Sequence, residues 1–472
     1  MALQPVSLTS RWTSMSMTHL CPSRESSGTA PRPPLSSFPT LFSPHSTTTN
    51  IRPCWDFLYP GRRFLLFKTP KSPPGIVSGW RAAGRPPSSQ IPPQPININS
   101  IIQPGGSETA QPDEFEYAHT HDVAWMSQNT NHLPTYPEVK EAIRRSLEEE
   151  EYRKYPIATG LPGLREAILE DIGMPDYRAL ITAGGIEGIY ILARALLGPG
   201  DEVITSDPSF FMIHKVIELT GAKCTNLPVY HKPWKYRVED VQEAITSRTR
   251  MLLLIDPLNP TGAGYRKEEV RAFAELARDH ALIVLDDVTY RDFATGHHET
   301  TEWAPERTFI AYSFSKSCGL AGMRIGALCG PKELMEKVVP YNTNDLSVNI
   351  LAQRAALASL QTKKKWLPEV LKICRENQKI IKEAVESVPG CALPVYPSQA
   401  NMFCADIGVT GVNPDELERE LLFKHNVFIR SGNYVSRKFG GRFIRISFTV
   451  PTEHAKRFAE AFPKAMKTLR PR

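Results

Sequence analysis

From about residue 113 onward, short apolar runs alternate with segments whose apolar positions recur every three or four residues. The runs Ala179–Thr182, Glu202–Thr205, Met251–Ile255, Leu282–Leu285, Phe309–Tyr312 and Ile325–Leu328 read as buried strands. Between them, Ile186–Leu197 and Lys267–His280 read as helices, the second with Val270, Phe273, Ala274 and Ala277 on one face. Thr135, with Glu138 three residues on, predicts a capping box that opens a helix running through Leu147. Alternation of this kind predicts an α/β fold with a mostly parallel sheet covered on both faces by helices. After about residue 346 come a long helical region, two more strand candidates (Phe403–Ile407 and Arg442–Phe448) and a closing helix, which predict a second, smaller α/β domain.

Residues 1–110 break the pattern. They hold 18 of the 41 prolines, with Ser and Thr clusters and isolated apolar patches such as Phe64–Phe67, and are expected to be disordered. Arg and Ser with few acids also suit an organellar transit peptide, but no basic amphipathic helix opens the chain, and a solvated tail on a cytoplasmic protein is the favoured reading. The expected division is a Pro/Ser-rich leader over 1–112, an N-terminal arm and part of the small domain over 113–155, a large domain over 156–345, and a connecting helix with the rest of the small domain over 346–472.

Composition narrows the function classes. The 472 residues are 41% apolar and 22% charged, and no run approaches the roughly 18 apolar residues of a membrane span, so no membrane partner is expected. The formal charge of +6 comes from the leader, where 10 Lys and Arg face 3 Asp and Glu; the near-neutral body carries no nucleic-acid footprint. The eight cysteines contain no C-x-x-C pair and no zinc spacing, which argues against a metal site or a disulfide framework and fits a reducing compartment.

In open α/β sheets, ligands bind beyond the carboxyl ends of the strands. After Thr182 come Gly184, Gly185, Ile186 and Glu187, two glycines opening a helix whose free N–H groups can hold a phosphate. After Ile255 comes a proline-rich turn carrying Asn259, and after Leu285 come Asp286, Asp287 and Tyr290. Tyr312 is followed by Ser313, Ser315 and Lys316, with Arg324 eight residues further. A lysine amine, a carboxylate, an amide, a phenol and a phosphate cradle on neighbouring strand ends are what pyridoxal phosphate requires.

The order GGIE, DPSF, NPTG, DDVTY, SFSK and GMRIG resembles the class I/II aminotransferase superfamily of fold-type I pyridoxal-phosphate enzymes over about residues 120–465. Within it the chain looks most like histidinol-phosphate aminotransferase and its relatives, through Asn129–Asn131, Tyr155-Pro156, SKSCGLAGMRIG, PYNTN at 340–344 and Pro397–Asn401. The resemblance implies a large cofactor-binding domain with a smaller domain beside it. It makes Lys316 the covalent partner of the cofactor and the carrier of the substrate proton, and Asp287 the partner of the ring nitrogen, with Asp286 structural. Asn259 and Tyr290 would bond the ring oxygen, and Phe210 would stack on the ring, leaving Phe211 to the core. Gly185, Ile186, Ser313 and Arg324 would hold the phosphate, with Ser315 as a further contact. Tyr155 resembles a tyrosine that reaches the phosphate of the neighbouring subunit, which implies a homodimer with shared sites. Arg445 matches the clamp on the substrate α-carboxylate, Asn129 falls at the substrate, and Arg430 matches an arginine near the substrate's distal phosphate.

The reaction expected is amino-group transfer between an amino acid and a 2-oxoacid. Decarboxylation or elimination uses the same groups and remains an alternative, since these reactions differ in substrate pose. A transcription regulator with an aminotransferase-like sensor domain is a remote one, because it needs a folded basic N-terminal module.

Overall fold

The computed structural model describes residues 113–470; the leader, with its expected disorder, lies outside the described residues. The described chain opens with α1 (Glu114–Thr120), capped by Asp113, whose carboxylate accepts the Phe115 N–H at 2.9 Å, and with the two-residue strand β1 (Ala124–Trp125). Helices α2 (Pro137–Glu148) and α3 (Pro162–Asp171) come next. The capping box expected at Thr135 is not formed: Tyr136 stands at the cap position without a side-chain bond and Pro137 opens the helix. Proline has no N–H to satisfy, and its fixed φ already suits the first helical position. Glu138 pairs instead with Lys365 Nζ at 3.2 Å.

The large sheet consists of β2 (Tyr177–Thr182), β3 (Glu202–Asp207), β4 (Lys223–Pro228), β5 (Thr249–Ile255), β6 (Ile283–Asp287), β7 (Thr308–Ser313) and β8 (Gly326–Pro331). Interleaved with them are α4 (Gly185–Leu196), α5 (Phe211–Glu218), α6 (Val238–Ala244), α7 (Lys267–Asp279) and α8 (Lys332–Val338). The order is β2-β8-β7-β6-β5-β3-β4, parallel throughout except that β8 runs against both its neighbours. The sheet is therefore the mostly parallel one expected. Strand β4 is an addition to the six apolar runs: it lies at the edge, and its Lys223, Thr225 and Asn226 interrupt any apolar stretch.

Two long helices, α9 (Ile350–Gln361) and α10 (Lys363–Glu386), lead to β9 (Met402–Asp406), α11 (Pro414–His425), β10 (Val427–Phe428), β11 (Arg430–Ser431), β12 (Phe443–Ser447) and the closing α12 (Thr452–Leu469). Side chains of the large sheet alternate between two cores. Leu180, Phe309 and Leu328 pack on one face with α4, while Ile181, Ile310 and Ala327 pack on the other with α3 and α9. A separate apolar cluster joins α10, α12 and the antiparallel β11-β12-β9 sheet. Strand β1 pairs in parallel with β10 in a separate two-stranded sheet, Ala124 opposite Val427 and Trp125 opposite Phe428, which ties the N-terminal arm to the C-terminal part of the chain. No described helix is long and apolar enough to cross a membrane.

Candidate active site

Ile255 is in register with Asp287, and Asp287 with Ala311, so β5 and β6 end at one level and β7 runs on from there to Ser313. A cavity of about 850 Å³ lies there. Next to it, Gly326 sits between Thr182 and Ser313 in the sheet. A Cβ on Gly326 would stand 2.5 Å from Gly185 N and 2.6 Å from the Gly184 carbonyl carbon, so only glycine lets α4 begin this close to the strand. Gly184 has φ +83°, and a Cβ there would meet Arg324 Nη2 at 2.6 Å. The start of α4 thus brings the N–H groups of Gly185 and Ile186 to the cavity beside Arg324, Ser313 and Ser315, where the helix dipole favours an anion. Arg324 is braced by donating from Nη1 to the Ala321 carbonyl at 2.9 Å.

Lys316 projects into the same cavity and donates to the Gln128 carbonyl at 3.1 Å. Burial pushes its ammonium pKa down to about 7, Arg445 and Arg324 push the same way, and Asp287 opposes them. Asp287 is buried at the end of β6, where burial raises its pKa against the Thr289 N–H that it accepts at 3.1 Å. It makes no ion pair among the described residues. The Tyr290 phenol, pushed up to about 12 by burial, accepts from Asn129 Nδ2 at 3.1 Å. Asn129 has φ +54° and is held from both sides: its N–H donates to Ser447 Oγ and its side-chain oxygen accepts from the same hydroxyl, both at 2.8 Å. Phe210 lines the cavity, whereas Phe211, expected in the core, is only partly buried and packs edge-on against Tyr434 at 5.1 Å. Asp286 points away from the cavity and accepts from the Thr300 N–H and hydroxyl at 2.9 Å each.

Arg445 is buried, donating to Asn259 Oδ1 at 3.2 Å and to the Ser127 carbonyl at 2.7 Å, while its Nε has no partner. Burial lowers its pKa. Arg430 also lines the cavity, but it donates to Glu418 Oε1 at 2.9 Å. Tyr155 does not line its own chain's cavity; it is 78% exposed.

The structure thus gathers the site residues expected from the sequence around one space, Ser315 included, and leaves Tyr155 outside it. Sequence reasoning missed Phe115, His119, Trp125 and Tyr434, which form an aromatic wall of the cavity. The first three belong to an N-terminal arm whose place depends on the β1–β10 pairing, a contact about three hundred residues apart that no local pattern encodes.

The chain matches the family described as aminotransferase class I and II over residues 121–462. It is 29% identical to an aspartate aminotransferase of Pyrococcus horikoshii, over 74% of this chain and 91% of that one. It is 30% identical to a histidinol-phosphate aminotransferase of Staphylococcus saprophyticus, over 76% and 95%. A solved structure of a double mutant of Thermus thermophilus aspartate aminotransferase, 26% identical, superposes with a TM-score of 0.67 over 76% of this chain and 97% of that one. The chain therefore belongs to the class I and II aminotransferases, and the protein is a transaminase.

Proposed function

We propose that the protein moves an amino group between an amino acid and a 2-oxoacid with pyridoxal 5′-phosphate as cofactor and Lys316 as the cofactor's covalent partner. The observation that carries this reading is the Lys316 amine at a pKa of about 7, in one cavity with a buried carboxylate and an anion cradle. When bound, pyridoxal phosphate supplies an aldehyde that takes up amines and a ring that withdraws electrons from the substrate α-carbon. The residues fit that group: a Cβ on Gly184 would stand 2.6 Å from Arg324 Nη2 at the anion cradle, Asp287 has no cation partner among the described residues, and Arg445 Nε is buried without an acceptor.

An amine that is half neutral near pH 7 serves as nucleophile and, once freed, takes a proton from the substrate α-carbon and returns it. Gly185 and Ile186 N–H, Ser313 and Arg324 would bind the phosphate, the Arg324 fork matching its geometry. Asp287 would hold a proton on the ring nitrogen. Asn259 and Tyr290 would orient the ring through its oxygen, and Phe210 would cover one face. Arg445 would fix the α-carboxylate, with Asn129 holding the Tyr290 phenol in place. Tyr155, free of its own chain's cavity, is available to a second subunit's phosphate, which supports a homodimer. The separate apolar cores support a cofactor-binding domain over 156–345, onto whose sheet α9 also packs, and a small domain built from the rest of 346–472 with Ala124 and Met126 of the 113–155 arm. Six described cysteines are free, in keeping with the cytoplasm.

The test is product analysis. Protein reconstituted with cofactor is given a panel of amino acids and 2-oxoacids, and products are weighed by mass spectrometry. A donor-derived 2-oxoacid with a new amino acid supports transamination; an amine with carbon dioxide, or an eliminated fragment, overturns it in favour of a decarboxylase or lyase. Borohydride reduction should label the peptide containing Lys316, and label on another lysine would refute its role.

A further inference from the structure

Arg430 and Arg445 are direct cross-strand partners on β11 and β12. Two like charges facing each other across a strand pair repel, and Arg430 is among the groups that lower the Arg445 pKa. The fold answers with Glu418, a buried carboxylate on α11 that accepts from Arg430 Nη1 at 2.9 Å and from the Ser431 N–H at 2.6 Å. Burial raises the Glu418 pKa, and Arg430 and the Ser431 N–H oppose it. The guanidinium is also clasped by rings, its carbon 4.1 Å from the centre of Tyr434 and 5.0 Å from that of Phe115.

Around this pair the cavity wall is aromatic. Trp125 meets His119 edge-on at 4.8 Å, and both line the cavity with Phe115 and Tyr434. His132, beside Trp125, has its pKa lowered to about 4 by burial and His454, so it adds no positive charge near neutrality. Among the lining residues the arginines and lysines are Lys316, Arg324, Arg430 and Arg445. The first, second and fourth serve the cofactor and the α-carboxylate in the transaminase reading, and the third already has its carboxylate.

We infer that Glu418 makes this a site for amino donors with a neutral, aromatic side chain, by occupying the one arginine that an anionic side chain would need. Glu418 is a positioning residue: it acts through Arg430 and does not line the cavity. A distal carboxylate or phosphate approaching Arg430 would share one guanidinium with a buried anion and be repelled by it, so discrimination comes from a built-in repulsion as well as from the aromatic wall. The inference rests on the transaminase reading of the inner site.

The test uses full-length protein loaded with cofactor and measures kcat/KM for phenylalanine and aspartate. Wild type should favour phenylalanine by about tenfold or more. Glu418→Gln, which leaves Arg430 without a counter-charge, should move the ratio toward aspartate by about tenfold, and adding Arg430→Gln should move it back. A wild type that favours aspartate, or an unchanged ratio in folded Glu418→Gln, overturns the inference. Should Glu418→Gln fail to fold, wild-type affinities for 3-phenylpropionate and succinate, read from the shift of the cofactor absorption, decide it: tighter phenylpropionate supports the inference and tighter succinate overturns it. Failure of every donor to yield a 2-oxoacid would count against the transaminase reading, while the two affinities would still decide the side-chain preference.

Discussion

Lys316 bears an electrostatic cost that can be measured in the cofactor-free protein. Its pKa falls from 10.5 to about 7 in the folded chain, through burial first and the nearby Arg445 and Arg324 second. Between those two values the unfolded chain holds a proton that the folded chain has lost, so the free energy of unfolding rises with pH across that window. Below pH 7 both states are charged and the folded state carries the whole penalty, about 5 kcal/mol at most at about 1.4 kcal/mol per pH unit. The side chain is partly exposed, and solvent screening brings the expectation to about 2–4 kcal/mol. Lys316→Met keeps the length of the side chain and removes the charge. Urea unfolding of both cofactor-free proteins should therefore find the variant more stable at about pH 6.5 by that amount, with its advantage falling to about 1 kcal/mol at pH 9.5. An advantage that does not change with pH, or a variant less stable than wild type at pH 6.5, would refute the account of Lys316.

Gly326→Ala should destabilise the protein by about 1–3 kcal/mol and loosen its hold on the cofactor, since its Cβ meets two backbone atoms at the start of α4 and the Tyr312 carbonyl oxygen of β7, at 2.5–2.7 Å; thermal unfolding and cofactor dialysis read the two effects. Arg445→Ala should weaken all amino donors alike, by about 2–5 kcal/mol in kcat/KM, because the α-carboxylate is common to them; a loss confined to one donor would assign Arg445 elsewhere. If Tyr155 serves a partner's site, mixing Tyr155→Phe with Lys316→Ala subunits should yield heterodimers with one intact site and activity above either parent, and no recovery would return Tyr155 to its own chain.

The strand-end chemistry was legible because it is local. Lys316 comes a few residues after a buried run, as do Asp287 and Asn259, so the apolar pattern that marks β5, β6 and β7 also marks where their successors emerge. Arg324 and Gly326 were legible as a spaced motif, but the need for glycine at 326 is a packing fact, visible only when α4 is seen to begin against it. The reversal of β8 was not legible either, since a strand buried on both faces has the same apolar run in either direction.

The sequence by itself determined an ordered set of side chains at the ends of buried strands, the set that the proposed function assigns to the cofactor. Only the tertiary structure decided what stands opposite them across the cavity. Arg430, read in sequence as a contact for a distal phosphate, meets Glu418 from α11, and Phe115, His119 and Trp125 reach the cavity because β1 pairs with β10. Periodicity reports which face of an element is buried, and motif spacing reports which side chains emerge at a strand's end. Which charge neutralises which, and which ring walls which space, depends on contacts between distant segments, and those are set by packing the whole chain at once.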